Sequence, residues 1–115
     1  YAHARICSLL DNLSKNGVPV DPNADLSCLS SPEETALIRA LAAFPDELLT
    51  AAEMREPSRV NRYLISVAAD FHRFYNAHRI LGTDEAPARA VLTAAVRDVL
   101  RTGLGIIRVS APTHM

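Results

Sequence analysis

The feature that most constrains the fold is an apolar stripe with the period of an α-helix, which begins shortly after Pro57. The members of this stripe, which recur at i, i+3, i+4 and i+7, are Val60, Tyr63, Leu64, Val67, Ala68, Phe71, Phe74 and Tyr75. Such spacing places every member on one side of a helix, and that side must be buried against other elements. Proline is well suited to the first turn of a helix, and Gly82 predicts the end of this one.

The first third of the chain shows the same kinds of helix start and stop signals. Apolar residues at helical spacing run from Ala2 to a stop at Gly17, and a proline- and polar-rich stretch over residues 18–30 predicts a loop. Ser31-Pro32-Glu33-Glu34 is a capping box with proline at the first helical position. It predicts a second helix that extends through Ala43.

Two more helices complete the pattern. Pro45 predicts the break between the second helix and a third, and a fifth begins near Glu85 and stops at Gly103 or Gly105. No convincing run of alternating strand residues occurs. The sequence therefore predicts an all-α bundle of about five helices with a short C-terminal tail, as one domain over residues 1–115.

Composition is typical of a globular domain and unlike that of a disordered tail. Of 115 residues, 49% are hydrophobic, and the formal net charge is −1 from 12 basic and 13 acidic residues, so no overall cationic field indicates a nucleic-acid partner. The two cysteines, Cys7 and Cys28, form no disulfide or zinc pattern. No segment has the length of a membrane span and no signal peptide is recognisable, so we expect a cytoplasmic domain. We also expect the fragment to be a monomer.

One polar stripe lies beside the apolar stripe on the fourth helix, and it consists of His72, Tyr75, Asn76 and Arg79 at i, i+3, i+4 and i+7. Aromatic, imidazole, amide and guanidinium groups together suit single-stranded RNA, whose bases stack and present hydrogen-bonding edges. The alternative is structural. Phe71, Phe74 and Tyr75 would be core, and the polar members would bind groups on neighbouring helices.

A second polar stripe on the first helix contains Tyr1, Arg5, Ser8 and Asn12. Its alternative reading is a solvated helix face with Arg5 paired to an acid. A third stripe of Arg97, Arg101 and Arg108 is weaker evidence, because basic residues favour the end of any helix.

The chain shows no catalytic centre of its own. His3 and Cys7 stand at i, i+4 and could both bind zinc, but a third protein ligand is not apparent, so a buried cysteine and a hydrogen-bonded histidine are expected there. Carboxylates at helix starts, such as Glu33 and Glu34, are explained by the helix dipole. Nucleotide-binding and hydrolase motifs do not occur.

Three segments resemble the C-terminal anticodon-binding domain of arginyl-tRNA synthetases. They are Tyr1-Ala2-His3-Ala4-Arg5-Ile6-Cys7-Ser8, Phe71-His72-Arg73-Phe74-Tyr75-Asn76 with Arg79, and Pro112 to Met115. The resemblance implies the helical DALR-type fold and binding of a tRNA anticodon arm. The synthetase catalytic motifs are missing, so it also implies that this chain is a non-catalytic, C-terminal fragment. ATP, magnesium and arginine would be used by a catalytic domain of the parent protein, which is itself a partner of this domain.

The resemblance also suggests roles for individual residues. Tyr1 and Tyr75 would stack on anticodon-loop bases, and His72, Asn76 and Arg5 would position base edges or backbone. Arg79 would bind phosphate or brace the site, and Met115 would close the surface with its carboxylate. His78 stands where a cysteine is expected, so its role stays open. The rival hypothesis is a helical structural or partner-docking domain that makes no contact with RNA.

Overall fold

The computed structural model describes residues 2–80 and 82–110, with side chains through Arg108. The five helices are α1 (Ala2–Lys15), α2 (Pro32–Ala42), α3 (Phe44–Met54), α4 (Pro57–Ala77) and α5 (Ala86–Ser110). No strand occurs within the described ranges. The predicted all-α bundle of five helices is therefore confirmed. Tyr1, Met115 and the predicted C-terminal tail lie outside the described residues.

Helix α4 lies at the centre of the bundle and packs against α2, α3 and α5, while α1 packs against α5. The inward face of α4 is the predicted apolar stripe, and its fully buried members are Val60, Leu64, Val67, Phe71 and Phe74. Ile6 and Leu13 of α1, Leu37 of α2 and Val96 of α5 join them in one core. Tyr75, on the edge of the stripe, is 39% exposed.

The predicted capping box opens α2. The backbone N–H of Glu34 donates to Ser31 Oγ over 3.2 Å, and the backbone N–H of Ser31 donates to Glu34 Oε1 over the same distance. Gly17, with φ +84°, follows the end of α1 in a left-handed conformation that glycine adopts without strain. These boundaries are set by local chemistry, which is why the sequence predicts them.

The predicted end of α4 at Gly82 is wrong, because the helix stops at Ala77. His78 is extended, with φ −133° and ψ 124°, and Gly82 lies in the following turn with φ +85°. Two tertiary contacts explain the early stop. The Arg79 carbonyl accepts a hydrogen bond from Arg89 Nη1 of α5 over 2.8 Å, and Ile80 is buried at 2% exposure.

The predicted end of α5 at Gly103 or Gly105 is also wrong, since the helix continues to Ser110. Neither glycine has a positive φ. A Cβ atom at Gly103 would lie 2.6 Å from Leu64 Cδ2 of α4, whereas nothing approaches within 4 Å of that position at Gly105. Gly103 therefore permits the close packing of α5 on α4 and does not terminate the helix.

None of the helices in the described part of the chain is both long and apolar enough to cross a membrane.

Candidate nucleic-acid interface

A surface groove of about 460 Å³ lies between α1 and the second half of α4. The residues that line it are Ala4, Arg5, Ser8, Leu9, Asn12, Phe71, His72 and Tyr75. The groove therefore joins the two polar stripes that the sequence places on different helices. We refer to it below as the α1/α4 groove.

Aromatic rings form the α4 wall of the groove. The Tyr75 ring stacks on Phe71 with a centroid separation of 6.0 Å and an interplanar angle of 19°, and Phe71 in turn contacts Phe74 of the core at 5.9 Å. Phe71 is only 4% exposed, whereas Tyr75 is 39% exposed. The buried rings therefore hold Tyr75 in place while part of its surface faces solvent. Such a fixed, partly exposed ring can stack on a planar group.

Polar groups form the opposite wall. Arg5, Ser8 and Asn12 are all exposed and lie on successive turns of α1. Arg5 has no ion pair with any residue that the structure describes. The alternative interpretation of this stripe, a solvated face with Arg5 paired to an acid, predicts such a pair. This wall offers a guanidinium, a hydroxyl and an amide across from the aromatic wall, a set that suits the edges and backbone of an unpaired nucleotide.

The remaining candidates do not share this groove. Asn76 is exposed in the last turn of α4 but is not part of the groove lining. Arg79 is exposed and lies beyond the end of α4, so the prediction that it completes a helical stripe with His72, Tyr75 and Asn76 is wrong. The described structure thus brings together Arg5, His72 and Tyr75.

A buried ion pair joins α2 and α5 next to the end of α4. Arg89 Nε donates to Glu34 Oε2 over 2.8 Å, with side-chain exposures of 9% and 1%. Burial opposes the charge of Glu34, but the hydrogen bonds from Arg89 and from the Ser31 backbone outweigh it and lower the pKa of this carboxyl below its ordinary value of 4.5. Both groups are therefore charged at neutral pH.

His78 extends this pair into a network. Its Nε2 lies 2.8 Å from Glu33 Oε1, and its Nδ1 lies 3.4 Å from Arg89 Nη2. The hydrogen bond with His78 is the main cause of a lowered pKa at Glu33. The sequence leaves the role of His78 open, and the structure places it between an α2 carboxylate and the α5 guanidinium.

Arg89 is the residue that sequence reasoning missed. It precedes Leu92, Val96 and Leu100 at i+3, i+7 and i+11, so it falls on the apolar stripe of α5, and all four residues are buried. A charged residue on an inward-facing stripe predicts a buried partner. Glu34 on the second helix can be that partner, but in the sequence the capping box and the helix dipole already account for it.

The remaining polar clusters give weaker evidence for a functional site. Cys7 Sγ lies 3.8 Å from His3 Nε2, but Cys7 is exposed, so the prediction of a buried cysteine is wrong. No group of three metal-binding side chains occurs among the residues described. In the third basic stripe, Arg97 and Arg101 each pair with Asp98 over 3.0 Å.

Comparisons with known proteins identify relatives of this chain. Residues 1–115 match the profile of the DALR anticodon binding domain family. Over its whole length the chain is 45% identical to an arginine–tRNA ligase of Caldanaerobacter subterraneus, 51% to one of Burkholderia vietnamiensis and 46% to one of Desulforamulus reducens. It spans 21%, 20% and 21% of those proteins, about a fifth of their length. No solved structure matches the chain.

The profile match covers the whole chain, including both helices that form the α1/α4 groove. The resemblance inferred from the three sequence segments is thereby confirmed. The chain belongs to the DALR anticodon-binding domain family.

Proposed function

We propose that this chain is the anticodon-binding domain of an arginine–tRNA ligase and that the α1/α4 groove receives unpaired bases of the anticodon loop. The observation that carries the proposal is the arrangement of the groove. A tyrosine ring supported from the core lies on one side of a groove of about 460 Å³, and exposed guanidinium, hydroxyl and amide groups lie on the other side. Family membership and the identity to arginine–tRNA ligases support the choice of ligand.

In this proposal a splayed base stacks on the exposed part of Tyr75, and Arg5 and His72 contact its edge or the adjoining backbone. Stacking tolerates any base, so the polar groups supply the discrimination between bases. Asn76 and Arg79 lie at the end of α4 and would extend the contact along the RNA backbone. Tyr1 and Met115 are proposed to complete the surface, as the sequence resemblance implies.

The chemistry of aminoacylation is assigned to the rest of a longer protein. That part would use ATP, magnesium and arginine and act in the cytoplasm, while this domain holds the other end of the tRNA. The chain by itself should then catalyse no arginine-dependent exchange between ATP and pyrophosphate. ATP–pyrophosphate exchange activity that co-purifies with the folded chain, and that a substitution in the chain abolishes, would contradict this assignment.

A binding measurement tests the proposal directly. The chain should bind an arginine-accepting tRNA more tightly than the same tRNA with its anticodon bases replaced, and affinity should fall as salt rises. Arg5→Ala should weaken binding. Arg62→Ala is a matched control, because Arg62 is an exposed arginine near the start of α4, outside the groove, with a 3.6 Å ion pair to Glu56.

The rival hypothesis, a helical domain that docks on protein, makes the opposite prediction. Affinity for RNA would then be weak, insensitive to the anticodon and equally reduced by Arg5→Ala and Arg62→Ala. That pattern would exclude the α1/α4 groove as an anticodon site.

A further inference from the structure

We propose that Arg89 is a positioning residue for RNA binding. From inside the bundle it holds the segment 78–80, so that the Arg79 guanidinium lies at the surface. The inference rests on the proposed function, because it assigns a role to Arg79 in contacting RNA. It concerns a residue that is itself 8% exposed and so offers almost no surface to a ligand.

Arg89 makes contacts in three directions with the planar donor groups of its guanidinium. Nε donates to Glu34 Oε2 over 2.8 Å, Nη1 donates to the Arg79 carbonyl over 2.8 Å, and Nη2 lies 3.4 Å from His78 Nδ1. Glu34 fixes the orientation of the guanidinium from α2. Nη1 also lies 3.9 Å from Glu85 Oε1. His78 Nδ1 and the Arg79 carbonyl belong to the segment that follows α4, so this fixed fork determines where that segment lies.

The hydrogen-bonding pattern of His78 follows from its two partners. A guanidinium has donors and no acceptor, so Nδ1 of His78 must accept from Arg89. Nε2 then carries the hydrogen and donates to Glu33 Oε1 over 2.8 Å. His78 therefore contacts both neighbours, and Glu33 at the start of α2 holds the imidazole against Arg89.

The result is a segment whose backbone is fixed on the inside and whose Arg79 side chain is exposed. The Arg79 carbonyl is taken up by Arg89, and the neighbouring Ile80 carbonyl accepts a 2.9 Å hydrogen bond from Thr83 Oγ1. Ile80 itself is buried at 2% exposure. A phosphate contact from Arg79 would thus start from a backbone that is already ordered, which lowers the entropy cost of binding.

The test compares Arg89→Lys with Arg79→Ala in tRNA binding. Lysine keeps a positive charge for Glu34 but lacks the fork that also reaches Arg79 and His78. We expect each single variant to weaken binding by roughly threefold to tenfold and to lower the salt slope by about one phosphate contact. If Arg89 acts through Arg79, the double variant Arg79→Ala/Arg89→Lys should bind tRNA as tightly as the single variant with the lower affinity.

Arg59→Lys is the control for a general loss of stability. Arg59 Nε pairs with Glu47 over 3.0 Å at the other end of α4, so this variant removes the fork of an interhelical arginine far from segment 78–80. It should leave tRNA binding unchanged. If Arg89→Lys does not fold, Glu34→Leu/Arg89→Met replaces the pair with apolar side chains, which buried sites tolerate better than an unpaired charge. The folded double variant should show the same loss of binding.

Four results would overturn the inference. Additive losses in Arg79→Ala/Arg89→Lys would mean that Arg89 acts independently of Arg79, and no loss in either folded Arg89 variant would mean that it is purely structural. If Arg79→Ala binds like wild type while Arg5→Ala does not, the positioning role fails and the proposed function stands. If the wild-type chain fails to distinguish anticodons, both proposals fail.

Discussion

Tyr75 shows how one residue can serve both the core and the surface. Its ring packs on Phe71 at 6.0 Å, yet it is 39% exposed, while its neighbour in the stripe, Phe74, has no exposure. The periodicity places Tyr75 on the edge of the apolar stripe, and only the position of α1, on the other side of the groove, turns that edge into a wall. The residue therefore offers a ring whose orientation is fixed before any ligand arrives.

Replacement of Tyr75 separates stacking from hydrogen bonding. We expect Tyr75→Phe to retain most of the tRNA affinity, because the stacking ring is preserved. Tyr75→Ala should cost about 1–3 kcal/mol of binding free energy. Affinities should be measured by filter binding with circular dichroism as the check on folding. Equal binding by the folded alanine variant would exclude a stacking role for Tyr75.

Glu34 has two structural roles, which makes it sensitive to pH. It closes the capping box of α2 and pairs with Arg89, and its pKa is lowered from 4.5 in the folded state. A lowered folded-state pKa means that ionised Glu34 stabilises the fold above the unfolded-state pKa. That contribution is lost as the pH falls through the folded-state pKa.

The variant Glu34→Gln should therefore be less stable at neutral pH, by on the order of 3 kcal/mol, since it removes the buried charged partner of Arg89 and leaves only the more distant Glu85, at 3.9 Å. The difference from wild type should narrow as the pH is lowered below 4.5. Urea unfolding at a series of pH values measures this. A stability difference that stays constant over that range would show that the charge of Glu34 is not the cause.

At the scale of the helices, the contact between α4 and α5 depends on the absence of a side chain at Gly103. The Cβ position there lies 2.6 and 2.8 Å from the two terminal carbons of Leu64, which is 4% exposed. Glycine normally weakens a helix interior, and here that cost is offset by closer packing. Gly105, two residues later in the same helix, has no such neighbour within 4 Å.

The two glycines should respond oppositely to the same substitution. Gly105→Ala should stabilise the fold by roughly 0.5–1 kcal/mol through helix propensity. Gly103→Ala gains the same propensity but must displace a core leucine, an overpacking cost of about 1–3 kcal/mol, so it should be net destabilising. Thermal unfolding of both variants provides the measurement. Stabilisation by both would mean that Leu64 moves aside at little cost.

At the scale of the whole molecule, one core connects all five helices. α4 contacts α2, α3 and α5, and α1 contacts α5, so no helix has a separate core of its own. Tyr63 ties α2 to α4, because its hydroxyl donates to the Ala40 carbonyl, and it also stacks on Phe44 at 5.7 Å. Burial, with a smaller effect of Glu47, raises the pKa of Tyr63 to about 12.

We therefore expect the chain to unfold in a single cooperative transition. Far-ultraviolet circular dichroism, which follows the helices, and tyrosine absorbance, which reports the surroundings of Tyr63 and of the other two tyrosines, should give the same midpoint in urea. The far-ultraviolet spectrum should be that of a helical protein. Separate midpoints would show that part of the bundle, most simply α3 with its single buried residue Ala51, unfolds independently.

Much of the fold follows from the sequence because its signals are local. Ser31 and Pro32 act within the first turn of α2, Pro57 acts within the first turn of α4, and the apolar stripe of α4 needs only the period of the helix. The same holds for the candidate site. Chemistry, spacing and family resemblance indicate Arg5 and Tyr75, and the structure places both in one groove, while their roles in RNA binding stay predictions.

Only the tertiary structure determined where α4 ends and that α5 continues through Gly103. It also determined which groups Arg89 and His78 contact. Each of these depends on a contact between residues far apart in sequence, such as the 2.8 Å bond from Arg89 to the Arg79 carbonyl. The local preference of glycine to end a helix is worth only about 1 kcal/mol. A buried ion pair or a packed helix contact can outweigh it, so the sequence determined the helices and their faces, and the packing determined their ends and the surface between them.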